Sequence, residues 1–252
     1  MTVAILLALS FAAAPGDTLR LEVGDTLVDG RVYRPHAARV RVYTDGGGST
    51  PVAEWTNELT LGDSAGRRVM RWVTKGETRN ATGQPVRWEL RQTYDARTLA
   101  PLGYHRTAST GAEARLRIEG RQVTGTRRAN AAAEPAPYAM ELDRPGFFAG
   151  ASDLVPLAVG LKQGTVITAP VWSPGMPRAE LRIFTVVGLD TVTVEGARIE
   201  AWKVEERRHA DRTLASTWWL LDRSPYMVYG ETIGPNGEVR RMTEVETPAG
   251  AR

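Results

Sequence analysis

The residues able to do chemistry are few and scattered. His36, His105 and His209 are the three histidines, and they fall in different segments without HExxH or any other metal-ligand spacing. Lone histidines of this kind are expected at the surface. Cysteine is absent, which removes disulfides, thiol nucleophiles and thiolate metal sites together, along with a cysteine-borne lipid anchor. No Gly-x-Ser-x-Gly elbow is present, and Ser152 and Asp153 in Gly150-Ala151-Ser152-Asp153-Leu154 read as helix caps. Glu244 and Glu246 alternate onto one strand face at roughly 6–7 Å, a separation compatible with two-carboxylate glycoside hydrolysis. Such enzymes place the pair on different elements flanking the substrate. Beside Arg240 and Arg241, an i, i+2 pair reads instead as a solvated strand face. A hydrolase of cell-wall glycans would need Glu244, Glu246 or Asp222 to converge with another carboxylate in a cleft. No Gly-rich phosphate loop opens a helix. The expectation is a protein without catalytic residues, metal or cofactor.

The aromatic residues carry more information. Trp55, Trp72, Trp88, Trp202, Trp218 and Trp219 all fall in strand-like segments, where large rings either fill a core or line a cavity for an apolar ligand. Core filling is the commoner use. Trp218 and Trp219 are adjacent and so point to opposite faces of a strand, one of them expected to be exposed. With Tyr226 and Tyr229 it would mark a mouth or contact surface, and Trp202, Trp218, Trp219, Tyr226 and Tyr229 form the candidate ligand-binding set. Arginines near that mouth would pair with a lipid phosphate or a carboxylate.

The elements that position these side chains are mostly strands. Fifteen strand-like segments are expected: 26–33, 38–44, 52–61, 67–75, 85–94, 102–109, 114–119, 122–127, 166–171, 180–187, 191–195, 199–208, 214–221, 226–233 and 239–246. Several alternate, as where Val40 and Val42 oppose Arg39 and Arg41, the signature of a sheet with one apolar face. Short turns at Asp45-Gly46-Gly47-Gly48, Asp63-Ser64, Glu195-Gly196 and Pro235-Asn236-Gly237 link them, so an antiparallel meander is predicted. Leu154, Leu157, Ala158 and Leu161 at i, i+3, i+4 and i+7 predict one short helix, tolerant of Pro156 in its first turn and ended by Gly160 and Gly164. Its single apolar face should lie against the sheet, closing one end or the open side of a curved barrel. The Ala- and Pro-rich segment Ala129–Pro137 is the linker candidate between two halves of one barrel, neither able to cover its own apolar face alone.

Charge and the N-terminus bound the setting. The net charge is +3, and of 32 Lys and Arg residues only Lys75, Lys162 and Lys203 are lysine, leaving 29 arginines spread along nearly every strand. Nucleic-acid binding needs clustered charge; the dibasic pairs at 67–68, 127–128, 207–208 and 240–241 read as solvated strand edges. The uncharged apolar run Val3–Ala14 is far shorter than the roughly 20 residues of a membrane span and suits a secretory signal. Residues 1–16 are therefore read as a signal peptide, with mature protein beginning near Asp17 and residues 17–252 as a single β-barrel-like domain, periplasmic or secreted and not membrane-spanning.

Several segments in order carry a resemblance. They are Tyr94-Asp95-Ala96-Arg97-Thr98-Leu99-Ala100-Pro101-Leu102, then Glu119-Gly120-Arg121-Gln122-Val123-Thr124-Gly125, then the Leu-rich helix and Ile199-Glu200-Ala201-Trp202-Lys203-Val204, and last Trp218-Trp219-Leu220-Leu221-Asp222-Arg223-Ser224-Pro225. The chain resembles exported proteins of the domain of unknown function 3108 family over most of residues 25–246. The resemblance implies an all-β, curved, partly open antiparallel β-barrel of the periplasm, similar in outline to lipoprotein-carrier half barrels, and it implies no activity. The reading is an exported, non-enzymatic barrel that binds an amphipathic ligand, lipid or envelope component. The alternative is a packed barrel docking another envelope protein as an interaction module. A hollow apolar interior of roughly 300 Å³ or more would favour ligand carriage.

Overall fold

The computed structural model describes residues 17–44, 50–80, 82–234 and 236–247. The expected signal segment 1–16 and the turn at 45–48 lie outside the described residues.

Alternation of apolar and polar residues with hairpin turns builds sixteen strands in one sheet. The first run comprises β1 (Thr18–Arg20), β2 (His36–Thr44), β3 (Ala53–Ser64), β4 (Arg67–Arg79), β5 (Pro85–Asp95), β6 (Pro101–Ala108), β7 (Glu113–Glu119), β8 (Gln122–Arg128) and β9 (Ala136–Glu141). After β10 (Phe147–Phe148) and the helix α1 (Leu154–Val159) come β11 (Val166–Trp172), β12 (Glu180–Val194), β13 (Ala197–Arg208), β14 (Leu214–Leu220), β15 (Met227–Ile233) and β16 (Val239–Glu246). Two meanders, β2–β9 and β11–β16, join where β16 pairs antiparallel with β2. β1 and β10 add to β11 in parallel. The strand path ends at β1 and β9, which do not pair with each other, so the curved sheet stays open.

The predicted all-β meander with one short helix is the observed architecture, with corrections. Residues 26–33 form turns and a 3₁₀ turn at Gly30–Val32, whose buried Gly30 sits against the Ala96 carbonyl. The two segments 180–187 and 191–195 are one strand, β12, interrupted by a bulge at Val186/Gly188. The Ala129–Pro137 segment is not the link between halves, because β8 and β9 on either side of it pair antiparallel; the crossover runs through residues 142–165 instead. The turn placed at Asp63-Ser64 falls at Ala65-Gly66, both with positive φ, while Glu195-Gly196 turns as expected.

α1 differs from the amphipathic helix predicted. Leu154, Val155, Pro156, Leu157 and Ala158 are all buried, because the helix lies between the sheet and the segment Leu21–Tyr33. Asp29 donates its backbone N–H to the Ala158 carbonyl and Tyr33 donates its hydroxyl to the Leu154 carbonyl, fastening that segment over the helix. A helix covered on all sides has apolar residues all round.

The bulge in β12 sets a second layer. Beyond Gly188 the β12–β13 hairpin lies over the outer face of β14–β16, and Glu195 at its tip forms an ion pair with Arg41 of β2 at 2.5 Å. A small outer core of Val194, Ala201, Trp219, Leu221 and Val228 results. Elsewhere the outer face carries cross-strand ion pairs in register, such as Arg41 with Glu54, Arg87 with Glu77 and Arg241 with Glu231. These occupy some of the dispersed arginines; exposed pairs each contribute about 0–1 kcal/mol.

Candidate interior binding site

Strand register assembles the site. Across the inner face, Glu244, Val40, Trp55, Gly76 and Trp88 stand opposite one another on β16, β2, β3, β4 and β5 in turn. The neighbouring row places Asn57, Thr74 and Leu90 side by side on β3, β4 and β5. Gly76 is required in its row, since a Cβ there would lie 2.7 Å from the Trp88 ring and 2.9 Å from Trp55 Cβ. The two indoles approach over it with ring centroids 6.3 Å apart.

These rows line a partly open cavity of ≈190 Å³. Its apolar wall includes Trp55, Trp72, Trp88, Trp218, Met227 and Met242, and its polar groups are Asn57, Thr74, Gln92, Asp153 and Glu244. Thr74 donates its hydroxyl to Asn57 Oδ1 at 3.0 Å, and Asn57 donates Nδ2 to Glu244 Oε1 at 3.3 Å. Asp153 enters at the N-terminal end of α1. Its side chain makes no capping hydrogen bond, contrary to the capping role expected from the sequence. Ser152 is no cap either: its hydroxyl donates to Glu206 Oε2 at 3.3 Å.

Two buried carboxylates, Glu206 and Glu244, and the half-buried Asp153 thus face the interior. Glu206 is compensated, accepting from Trp218 Nε1 at 3.1 Å and Arg182 Nη1 at 3.5 Å; burial raises its pKa against those partners. Asp153 and Glu244 form no ion pair with any described residue. Burial, reinforced by Glu206, pushes Asp153 up to about 7. Burial, with Asp153 adding repulsion, pushes Glu244 up to about 8. The solvated carboxylate face expected for Glu244 and Glu246 is overturned at Glu244, which is 3% exposed. Curvature of the sheet turns this end of β16 inward. Glu246 remains exposed and accepts from the Ser224 hydroxyl at 2.7 Å, so the two do not converge as a catalytic pair.

The five ligand-binding candidates divide between two layers. Trp218 and Tyr226 belong to the inner core and the half-buried Trp202 packs against it, yet only Trp218 lines the cavity. Tyr226 stacks edge-on against Tyr33 at 4.8 Å and does not form a mouth. Trp219 and Tyr229 meet on the opposite face at 5.1 Å. The expectation that one of Trp218 and Trp219 is exposed fails, because the β12–β13 hairpin covers Trp219 and Asp190 accepts its indole N–H at 3.1 Å. His36 is buried as well, edge-on to Trp72 at 5.7 Å, where a surface position was expected. Trp172, absent from the aromatic set, is fully buried at the end of β11. The sequence signal for Glu244 is a carboxylate at an inward register position on β16, visible only once register is known, whereas Asp153 carries only the mark of a helix cap.

The model of the DUF3108 family, proteins of unknown function, matches residues 38–240. The chain belongs to the DUF3108 family. No curated protein sequence matches it. Among solved structures, this DUF3108 chain is similar in fold to a β-barrel-like protein of the DUF1849 family from Brucella abortus, with 10% identity, 88% of this chain and 100% of that chain covered, and a TM-score of 0.50. Weaker likenesses are to a DUF1089 family protein from Pseudomonas aeruginosa (13% identity, 68% and 87% covered, TM-score 0.39) and to the hypothetical lipoprotein YmcC from Escherichia coli K12 (12%, 89% and 91%, TM-score 0.31). Among the described residues no helix is long and apolar enough to cross a membrane, and no group of His, Asp and Glu is arranged to hold a metal ion.

Proposed function

We propose that this DUF3108 protein is an exported, non-catalytic envelope protein that holds a small amphipathic ligand inside its barrel. The observation that carries this reading is the cavity, where four tryptophans adjoin the buried Glu244 and the half-buried Asp153, neither with a counter-ion among the described residues. A barrel serving only as a packed scaffold gains nothing from such groups, since burying an uncompensated carboxylate destabilises the fold. Perturbed acids beside a cavity mark sites of binding or chemistry, and no nucleophile accompanies these.

The volume narrows the ligand. A cavity of ≈190 Å³ falls short of the roughly 300 Å³ expected of a ligand carrier, the lower bound for drug-sized ligands, and holds about six waters' worth of matter. It suits a head group or small amphiphile better than a folded acyl chain. The envelope setting rests on the signal-like run Val3–Ala14.

The interaction-module reading has its own support in Val187 and Leu189, exposed beside the β12 bulge at 41% and 56%. Native mass spectrometry of protein isolated from the periplasm distinguishes the two. Carriage predicts a bound small molecule, or saturable quenching of tryptophan emission by members of a panel of anionic, neutral and cationic amphiphiles. A ligand-free protein insensitive to the whole panel would overturn it.

A further inference from the structure

The cavity combines two features that together define a ligand class. Its walls are the rings of Trp55, Trp72, Trp88 and Trp218, whose π faces attract cations. Its acidic groups, Asp153 and Glu244, lack any cationic partner among the described residues, while nearby Glu206 already has Arg182. Asp153 is the more telling. It is half-buried, lines the cavity, and is approached by backbone N–H groups of its own residue and Leu154 with no cation among the described residues.

We infer that the cavity is a site for an organic cation, a small primary or quaternary ammonium whose charge is met by Asp153 and Glu244 and whose methyl or methylene groups lie against the tryptophans. This inference rests on the ligand-binding reading above and specifies its chemistry. An anion would be repelled by the two carboxylates once they ionise, and a purely apolar guest would leave Asp153, Glu244 and Gln92 without polar partners from the ligand. A bare metal ion would have no use for the indoles, and the carboxylates, with Asn57, supply too few ligands for one. An ammonium with an apolar surround satisfies both walls, and cation–π attraction strengthens when the cation is desolvated.

Cation binding also links to protonation. An ammonium favours the ionised forms of Asp153 and Glu244, so its binding releases protons and tightens as the pH rises through their titration. The charged and titratable groups facing them are Glu206 with Arg182 behind it, together with Tyr33 and Tyr94 near Asp153. Both phenols stay neutral between pH 6 and 8.5, since burial raises the two tyrosines well above their usual value. Glu206 also titrates upward and works in the same direction.

The test titrates the protein with tetramethylammonium and choline, and with the neutral choline isostere 3,3-dimethylbutan-1-ol, following tryptophan emission and heat. Saturable binding of the cations is expected, at least tenfold tighter than the neutral isostere and at least tenfold tighter at pH 8.5 than at pH 6. Asp153→Asn and Glu244→Gln should each lose that preference, with circular dichroism confirming the fold and Glu246→Gln as an unaffected control. Competition by phosphatidylcholine vesicles, and not by phosphatidylglycerol, would assign the cation to a lipid head group; binding of free choline without vesicle competition would assign it to a soluble amine. Equal binding of the neutral isostere overturns the cation assignment while leaving the cavity as a ligand site. Failure of every probe, charged or neutral, overturns the ligand-binding reading itself.

Discussion

Asn57 and Glu244 meet by a side-chain hydrogen bond of 3.3 Å across 187 positions of sequence, although their strands, β3 and β16, are separated by β2. The bond spans the seam at which the two meanders join, and it leaves a carboxylate enclosed without a cation. Its consequence is a stability that depends on protons. Asp153 and Glu244 titrate in the fold at about 7 and about 8, above their ordinary values of 3.8 and 4.5. A carboxyl whose folded pKa is raised favours the fold fully below its unfolded pKa, and that contribution is lost as pH rises through the folded value. His36 acts in the opposite sense, because burial lowers its pKa and the folded state loses stability as it becomes protonated in acid. Above pH 7 the histidine no longer titrates and the carboxylates dominate. The stability of the free protein is therefore expected to fall from pH 7 to pH 8, by up to about 1.4 kcal/mol per pH unit for each proton the fold holds beyond the unfolded chain, and to level off by pH 9, the thermal midpoint following it. Glu244→Gln, which keeps an acceptor for Asn57, should flatten that fall. A midpoint constant or rising over this range would contradict the burial of these groups.

The pair Trp218 and Trp219 separates packing from binding. Both rings are buried, in the inner and outer cores respectively, so Ala at either position should destabilise by roughly 3–5 kcal/mol. Phe is the better probe. Trp218→Phe removes a cavity wall and the indole donor to Glu206, and should weaken choline binding several-fold. Trp219→Phe loses its bond to Asp190 and should leave binding unchanged. Isothermal titration of the two folded variants checks the contrast, and equal losses would place the ligand elsewhere.

The sequence conveyed the inner face better than the outer one. Alternation in β2 and β13 and the hairpin at Glu195-Gly196 announced strands that pair in register. Alternation is silent on what covers the other face. Trp219 is buried because a bulge at Val186/Gly188 redirects a hairpin tip over it, and nothing local to Trp219 encodes that cover. Asp153 illustrates the same limit. Its position before an apolar run is the sequence mark of a cap, yet α1 sits so deep that the side chain faces a cavity. Burial of the helix on all sides depends on Leu21–Tyr33 passing over it, a long-range contact with no periodic signal.

Leu157 measures how far α1 holds that arrangement together. Its side chain is 6% exposed and belongs to the inner core. Leu157→Ala should cost roughly 2–5 kcal/mol, read from urea denaturation midpoints at an unchanged slope. A midpoint equal to the parent's would show that the helix is peripheral to the core.

Gly76 offers the most selective test of the cavity wall. Its φ lies outside the left-handed region, so alanine adds no backbone strain there; the conflict is one of space alone. The new Cβ would lie 2.7 Å from the Trp88 ring and 2.9 Å from Trp55 Cβ, distances that require one indole to move. Trp88 is half-buried and its ring has room to shift outward, whereas the contact with Trp55 Cβ is relieved only by a small shift of β3 against β4. Gly76→Ala should therefore lower stability by only about 1–3 kcal/mol, the usual range for inserting a methylene-sized group into packed surroundings. Its effect on the site should be larger in proportion, since the displaced ring no longer borders the cavity and cation–π attraction requires the charge within about 6 Å of the ring centroid. Choline affinity is expected to fall several-fold while the preference for cation over neutral isostere persists, because Asp153 and Glu244 are untouched. Titration of the folded variant with both probes decides the matter: affinity equal to the parent's would remove Trp55 and Trp88 from the binding wall.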